Sequence, residues 1–177
     1  MEVRKPVILI VDDDENDRIL MQSAFSQIGV SEPVNCVGGG AEAVEYLKGV
    51  GQYADRNRFP FPHLLLLDLK MARMNGFEFL HCIRSYPNLI VIPTVVFTSS
   101  EDLDDLRKAY LLGANSYFVK AKTFEQLCDQ VKFIYGYWMR VRVPPPDLAC
   151  ASGLDSRTSA SGRPSRHPRE SLSGTGS

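Results

Sequence analysis

Three consecutive carboxylates, Asp12-Asp13-Asp14, follow the apolar run Val7–Val11. A fourth, Asp68, follows Leu64–Leu67; Thr98-Ser99 closes the run from Ile92, and Lys120 closes Ser116–Val119. If these runs are parallel strands of one sheet, their carboxyl ends share a rim. At least three carboxylates then meet a hydroxyl and an ammonium there. Clustered carboxylates repel and raise one another's pKa unless something compensates. The compensators are Lys120 and a hard divalent cation; Mg2+ suits a site of one or two carboxylates plus phosphate oxygens. A carboxylate beside Mg2+ can act as a nucleophile toward a phosphoryl group. Mg2+, Lys120 and Thr98 would stabilise the equatorial oxygens. Asp68 is the best nucleophile candidate, because Leu64–Leu67 is the most apolar run and so the most central strand. Asp14 reads better as the cap of the helix that follows.

The elements that must position these residues can be read from periodicity. Val7–Val11 is a continuous β-branched run, as in a strand buried on both faces. Glu15 to Gly29 has helical spacing, with Ile19, Leu20, Phe25 and Ile28 on one side. Pro33–Val37 is a short strand, and 41–48 a helix with Ala43, Val44 and Leu47 inward. Gly49 to Pro62 is a long connection of the kind that is functional or disordered. Leu64–Leu67 is a strand, and Gly76–Ser85 a helix with Phe77, Leu80 and Ile83 on one face. Ile92–Thr98 is a strand, and Ser99-x-x-Asp102 opens a helix to Gly113. Ser116–Val119 is the fifth strand. The last helix, Thr123 to Trp138, carries Phe124, Leu127, Val131, Ile134 and Trp138 at spacings of three and four. Five strands alternating with five helices predict an α/β fold with a doubly wound parallel sheet.

Composition narrows the classes. The chain has 177 residues, 20 Lys+Arg and 21 Asp+Glu, a net charge of -1. That balance argues against a protein that holds nucleic acid by charge. No segment approaches the ~20 apolar residues of a membrane helix, and Val7–Val11 is too short for a secretory signal. Cys36, Cys82, Cys128 and Cys150 form no C-x-x-C and read as reduced thiols. A soluble cytoplasmic protein without membrane or nucleic-acid partners is expected. All 17 aromatics precede Val143, whereas 144–177 holds 8 Ser, 5 Pro and 4 Gly. The expected division is therefore a folded domain over 1–143 and a disordered tail over 144–177.

Four ordered motifs make the sequence similar to a known family. They are Ile8-Leu-Ile-Val-Asp-Asp13, Leu67-Asp-Leu-Lys-Met71 with Met74-Asn-Gly76, Pro93-Thr-Val-Val-Phe-Thr-Ser99, and Gly113-Ala-Asn-Ser-Tyr-Phe-Val-Lys120. The chain resembles a two-component response regulator receiver domain of CheY-like fold over about residues 6 to 138, with 139–143 as an extension. The resemblance implies strand order 2-1-3-4-5. It implies that Asp68 accepts a phosphoryl group from a histidine kinase. Asp13 would bind Mg2+ directly, Asp12 largely through water, and the Lys70 carbonyl would add a ligand. Thr98 would move to the phosphoryl group, Lys120 would pair with it, and Tyr117 would be the switch aromatic. The family has Pro where Ala72 and Ala121 stand here. Its Lys-Pro bond is commonly cis; with Ala a cis bond costs about 2.5–4 kcal/mol, so the isomer of Lys120–Ala121 stays open. The Gly49–Pro62 segment and the ending Tyr137–Pro144 are similar to single-domain regulators that partner phytochrome histidine kinases.

The 34-residue tail is too short for a winged helix or an enzyme, so the expected output is protein contact, or the protein is a relay intermediate. By the same resemblance the contact surface is that of the last two helices and the fifth strand. Phe133 and Tyr137 lie off the core stripe of the last helix and, with Tyr110 and Trp138, are candidate interface residues. Packing under the Met139–Val143 extension is the competing use of Phe133 and Tyr137. Homodimerisation through this surface is a hypothesis. Two other functions compete. Asp12-x-Asp14 resembles the opening of haloacid dehalogenase-like phosphatases, although Asn16 stands where that family has Thr or Val. A pseudo-receiver that only binds partners is disfavoured by the presence of Asp68, Thr98 and Lys120.

Overall fold

The structure, a computed structural model, describes residues 6–142. The expectations for the 144–177 tail, Val143 and Cys150 fall outside the described residues. The elements are β1 (Ile8–Val11), α1 (Glu15–Gln27), β2 (Val34–Val37), α2 (Gly40–Lys48), β3 (Leu64–Leu67), α3 (Gly76–Arg84), β4 (Thr94–Thr98), α4 (Leu103–Leu111), β5 (Ser116–Val119) and α5 (Phe124–Trp138). All strand pairs are parallel, in the order β2-β1-β3-β4-β5. Crossover helices cover both faces, so the central strands β1, β3 and β4 have no solvent side; β1 and β3 are apolar throughout, and β4 is apolar between Thr94 and Thr98.

Alternate strand residues feed two cores. Leu9, Val11, Leu65, Leu67 and Val96 pack with Ala43, Leu47, Leu80 and Ile83 under α2 and α3. Ile8, Ile10, Leu64, Leu66, Val95 and Phe97 pack with Phe25, Leu127, Val131 and Ile134 under α1 and α5. Three expected core residues are not in the core. Ile19 and Leu20 are 53% and 45% exposed, and Phe124 is 42% exposed. In α1 the buried stripe is Met21, Ala24 and Phe25, which keeps helical spacing with Ile28 and turns Ile19 and Leu20 away. Phe124 is the first residue of α5, one turn before the helix lies down on the sheet at Leu127. The start of α4 also differs. Its cap is Asp102, whose side chain accepts from the Asp104 N–H, and Ser99 stays outside the helix.

The 49–62 connection is packed rather than loose. Tyr46, Tyr53 and Phe59 form a ring cluster with centroids 4.9–6.0 Å apart. The Tyr46 hydroxyl donates to the Pro60 carbonyl at 2.9 Å. Arg56 donates to the carbonyls of Tyr46 (2.8 Å) and Leu47 (2.6 Å) in the last turn of α2, where helical carbonyls lack helical partners. Gly49 closes the same end in the left-handed region, φ 65°.

Cys36 lies half-buried on β2, and burial pushes its thiol up to about 11. Only the thiolate is a nucleophile. Alkylation of Cys36 near pH 8 is therefore expected to run roughly a hundredfold slower than that of a free thiol. Time-resolved peptide mapping with iodoacetamide measures this; a free-thiol rate at Cys36 would contradict it. Among the described residues no helix is long and apolar enough to cross a membrane.

Candidate functional site

Register brings the acids together. Val11 of β1 pairs with Leu67 of β3, so Asp12 and Asp68 leave the sheet side by side. The Asp68 N–H donates to the Val11 carbonyl at 2.9 Å, fixing that level. On the other side Thr98 pairs with Val119, and the Lys120 N–H donates to the Thr98 carbonyl at 2.8 Å. One oxygen from each of Asp12, Asp13 and Asp68 falls within 4.8 Å of the others. Asp12 and Asp68 are buried and Asp13 is exposed. Asp14 caps α1, accepting from the N–H groups of Asn16 and Asp17.

Each acid is held differently. Asp12 Oδ1 accepts from the Asp14 N–H at 2.9 Å and Oδ2 from Lys120 Nζ at 2.6 Å. Asp13 Oδ2 accepts from the Ala72 N–H at 2.6 Å, which ties the first acid loop to the loop after Asp68. Lys70 is exposed on that same loop. Asp68 Oδ2 lies 3.6 Å from Lys120 Nζ, and Asp68 Oδ1 is buried with no hydrogen-bond partner among the described residues. A buried carboxylate oxygen left bare is costly unless a cation or a donor reaches it. Three converging carboxylates with one oxygen unsatisfied fit a hard divalent cation.

Lys120 supplies the fixed positive charge. Burial alone would lower its pKa, but the bonds to Asp12 and Asp17 and the charge of Asp68 outweigh it and hold the ammonium well above the lysine value. Burial also pushes Asp12 upward, against the pull of Lys120. The Lys120 ammonium, 2.6 Å from Asp12 Oδ2, is the charge that opposes that rise. The Lys120–Ala121 bond is trans, as are all peptide bonds among the described residues.

Thr98 is fully buried at the end of β4, and its Oγ1 accepts from the Ser100 N–H at 3.4 Å. Tyr117 is half-buried, and its hydroxyl donates to the Ser100 carbonyl at 3.0 Å. The loop after Thr98 is thus tied to the candidate switch aromatic. The interface residues are split. Phe133, Tyr137 and Trp138 line a shallow cavity of about 250 Å³ with Phe118 and Ile134. Tyr110 is exposed on α4, outside that cavity.

Two contributors were not anticipated. Asp17 Oδ2 accepts from Lys120 Nζ at 2.6 Å, and Arg18 donates to the Asp12 carbonyl at 2.8 Å. Both stand in the first turn and a half of α1, directly after the acidic strand end. Their place at the head of the helix that leaves the acidic strand end was the available signal.

A doubly wound sheet with this acidic rim and strand-end lysine defines a CheY-like receiver-type domain. Residues 8–132 match the family described as response regulator receiver domain, and the chain belongs to that family. The family generally signals rather than catalyses. The chain is 34% identical over 140 residues to the probable methanogenesis regulatory protein FilR2 of Methanothrix harundinacea, covering 78% of this chain and 88% of that one. It is 32% identical to the response regulator Rcp1 of Synechocystis, over 78% of this chain and 92% of Rcp1. The Mn2+-bound form of Rcp1 aligns with a TM-score of 0.69 over 78% of this chain and 99% of that one. The phosphorylated cyanobacterial phytochrome response regulator RcpA aligns with a TM-score of 0.73 at 35% identity, over 79% of this chain and 99% of RcpA. The phosphatase alternative is not favoured: its second acid, Asp14, is occupied as a helix cap.

Proposed function

We propose that the protein is a response regulator that takes a phosphoryl group on Asp68 from the phosphohistidine of a phytochrome-type histidine kinase. The buried, unpartnered Asp68 Oδ1, set among Asp12, Asp13 and Lys120, carries this reading. Asp68 attacks phosphorus, the P–N bond to the donor imidazole breaks, and the imidazole leaves and takes up a proton. Asp12, Asp13, Asp68 and the Lys70 carbonyl would hold Mg2+, which neutralises phosphoryl oxygens when bound. Lys120 balances the charge that Asp68 gains, and the Thr98 hydroxyl hydrogen-bonds the phosphoryl oxygens. When Thr98 turns to do so, it releases the Ser100 N–H and slackens the loop that Tyr117 is tied to, which makes Tyr117 the switch. Because phosphohistidine is made from ATP, the reaction belongs in the cytoplasm.

The output face in this reading is α4, β5 and α5, with Tyr110, Phe133, Tyr137 and Trp138. Phe133 and Tyr137 are 68% and 55% exposed, apolar area that a partner would cover. The partner is a downstream protein, and we include a second copy of the chain. Sedimentation showing a monomer with and without phosphodonor removes the dimer. The acceptor itself is tested by intact mass after incubation with Mg2+ and acetyl phosphate. One phosphoryl adduct is expected in the wild type and none in Asp68→Asn. An adduct that persists in Asp68→Asn, or its absence from the wild type, overturns the assignment.

A further inference from the structure

Lys120 has three N–H donors, and two of them are committed. Asp12 Oδ2 and Asp17 Oδ2 each lie 2.6 Å from Nζ, whereas Asp68 Oδ2 lies 3.6 Å away. Asp12 is fixed by its place at the strand end and by the Asp14 N–H. Asp17 is different. Its carboxylate is 36% exposed, it stands on α1 rather than on the sheet, and no part of the proposed metal or phosphoryl chemistry uses it. The Lys120 side chain is only 14% exposed, so water is a poor substitute for either carboxylate.

From this geometry we infer that Asp17 is a positioning residue which competes with the Asp68 phosphoryl group for Lys120 and so sets how fast Asp68 is phosphorylated. This rests on Asp68 being the acceptor. An ammonium held between Asp12 and Asp17 must shift toward Asp68 before it can balance the charge of an incoming phosphoryl group. The bond to Asp17 opposes that shift. Breaking it also leaves the part-exposed Asp17 to be solvated, which limits the cost to that of a surface-like ion pair. A carboxylate in the first turn of a helix has an ordinary use as well, since it complements the helix dipole. Asp14 and Glu15 already supply that charge at the same end, so the dipole alone does not explain the reach of Asp17 to Lys120.

The test follows adduct formation by intact mass with Mg2+ and acetyl phosphate, with thermal melts to show that each variant folds. Asp17→Asn is expected to raise the phosphorylation rate constant about two- to fivefold, the range that one part-exposed ion pair supports. Asp17→Glu, which keeps a charge within reach of Nζ, is expected to return it to the wild-type value. Asp14→Asn removes the same charge from the same helix end, keeps a capping side chain, does not touch Lys120, and is expected to leave the rate unchanged. In a Lys120→Met background, Asp17→Asn is expected to add nothing, since the two residues act through one contact. A rate in Asp17→Asn that is unchanged or lower overturns the inference. An equal rise in Asp14→Asn also overturns it, because bulk charge would then explain the effect. A rise that persists without Lys120 does the same. If the wild type forms no adduct, or Asp68→Asn still forms one, the acceptor assignment has failed instead, and the inference falls with it.

Discussion

Replacing Lys120 with Met is expected to destabilise the metal-free domain by about 3 kcal/mol, with most of the loss recovered by millimolar Mg2+. Removing one partner of a buried ion pair costs about 3–5 kcal/mol, because the other charge stays buried and uncompensated. Here the orphaned charges are Asp12 and Asp68, whose side chains are 4% and 7% exposed. The lower end of that range applies because Asp17, the third partner of Lys120, is part-exposed and can turn to water. Met keeps the length of the lysine stem, so the change tests charge more than volume. A divalent cation placed among Asp12, Asp13 and Asp68 supplies the missing positive charge and stabilises by mass action. In the wild type, Lys120 already does part of that work and repels the cation. The stabilisation by Mg2+ should therefore be larger in Lys120→Met than in the wild type. Urea unfolding with and without Mg2+ measures both quantities. A variant as stable as the wild type without metal, or one that gains no more than the wild type from it, contradicts this account.

The lysine also shows what was legible in the sequence. Its place at the end of a strand, opposite three strand-end acids, follows from period and punctuation alone. A parallel sheet then fixes which rim those ends share, and the observed registers bring them there. Strands β1 and β3 were readable for the same reason, since strands buried on both faces are near-continuous apolar runs. Helix faces were less readable. Ile19 and Leu20 are as apolar as Met21 and Phe25, and only the crossing of α1 over the sheet decides which pair is covered. The 49–62 segment was harder still. Its order comes from Tyr46, Tyr53 and Phe59 packing edge-on or tilted across sequence gaps and from Arg56 reaching back to α2. None of that has a period. Asp17 escaped for a related reason, because a carboxylate in a first helical turn has a sufficient local explanation and its reach to Lys120 is tertiary.

Gly76→Ala is expected to cost about 2–3 kcal/mol of stability and to lower the midpoint of thermal unfolding by roughly 10 °C. Gly76 is the first residue of α3, and its N–H donates to the Leu69 carbonyl at 3.1 Å. A Cβ built there would overlap the Asp68 carbonyl oxygen and come within 2.7 Å of Leu69 Cα. Both are backbone atoms of the segment leaving β3, so no rotamer change relieves the clash. On propensity alone the substitution would favour the helix by up to about 1 kcal/mol. The overlap outweighs that gain, because either α3 or the Asp68–Leu69 backbone must move. Neither is free: Leu69 is buried in the core, and Asn75 closes a capping box with Glu78 at the head of α3. The damage should reach the site as well as the melt. Displacing the Asp68 backbone changes its distance from Asp12 and Asp13, so Mg2+ affinity is expected to fall together with stability. Ala is the smallest side chain that tests this, and calorimetry with and without Mg2+ reads both effects. If Gly76→Ala melts at the wild-type temperature, the start of α3 has room to retreat, and the close approach of the helix is not what fixes Asp68.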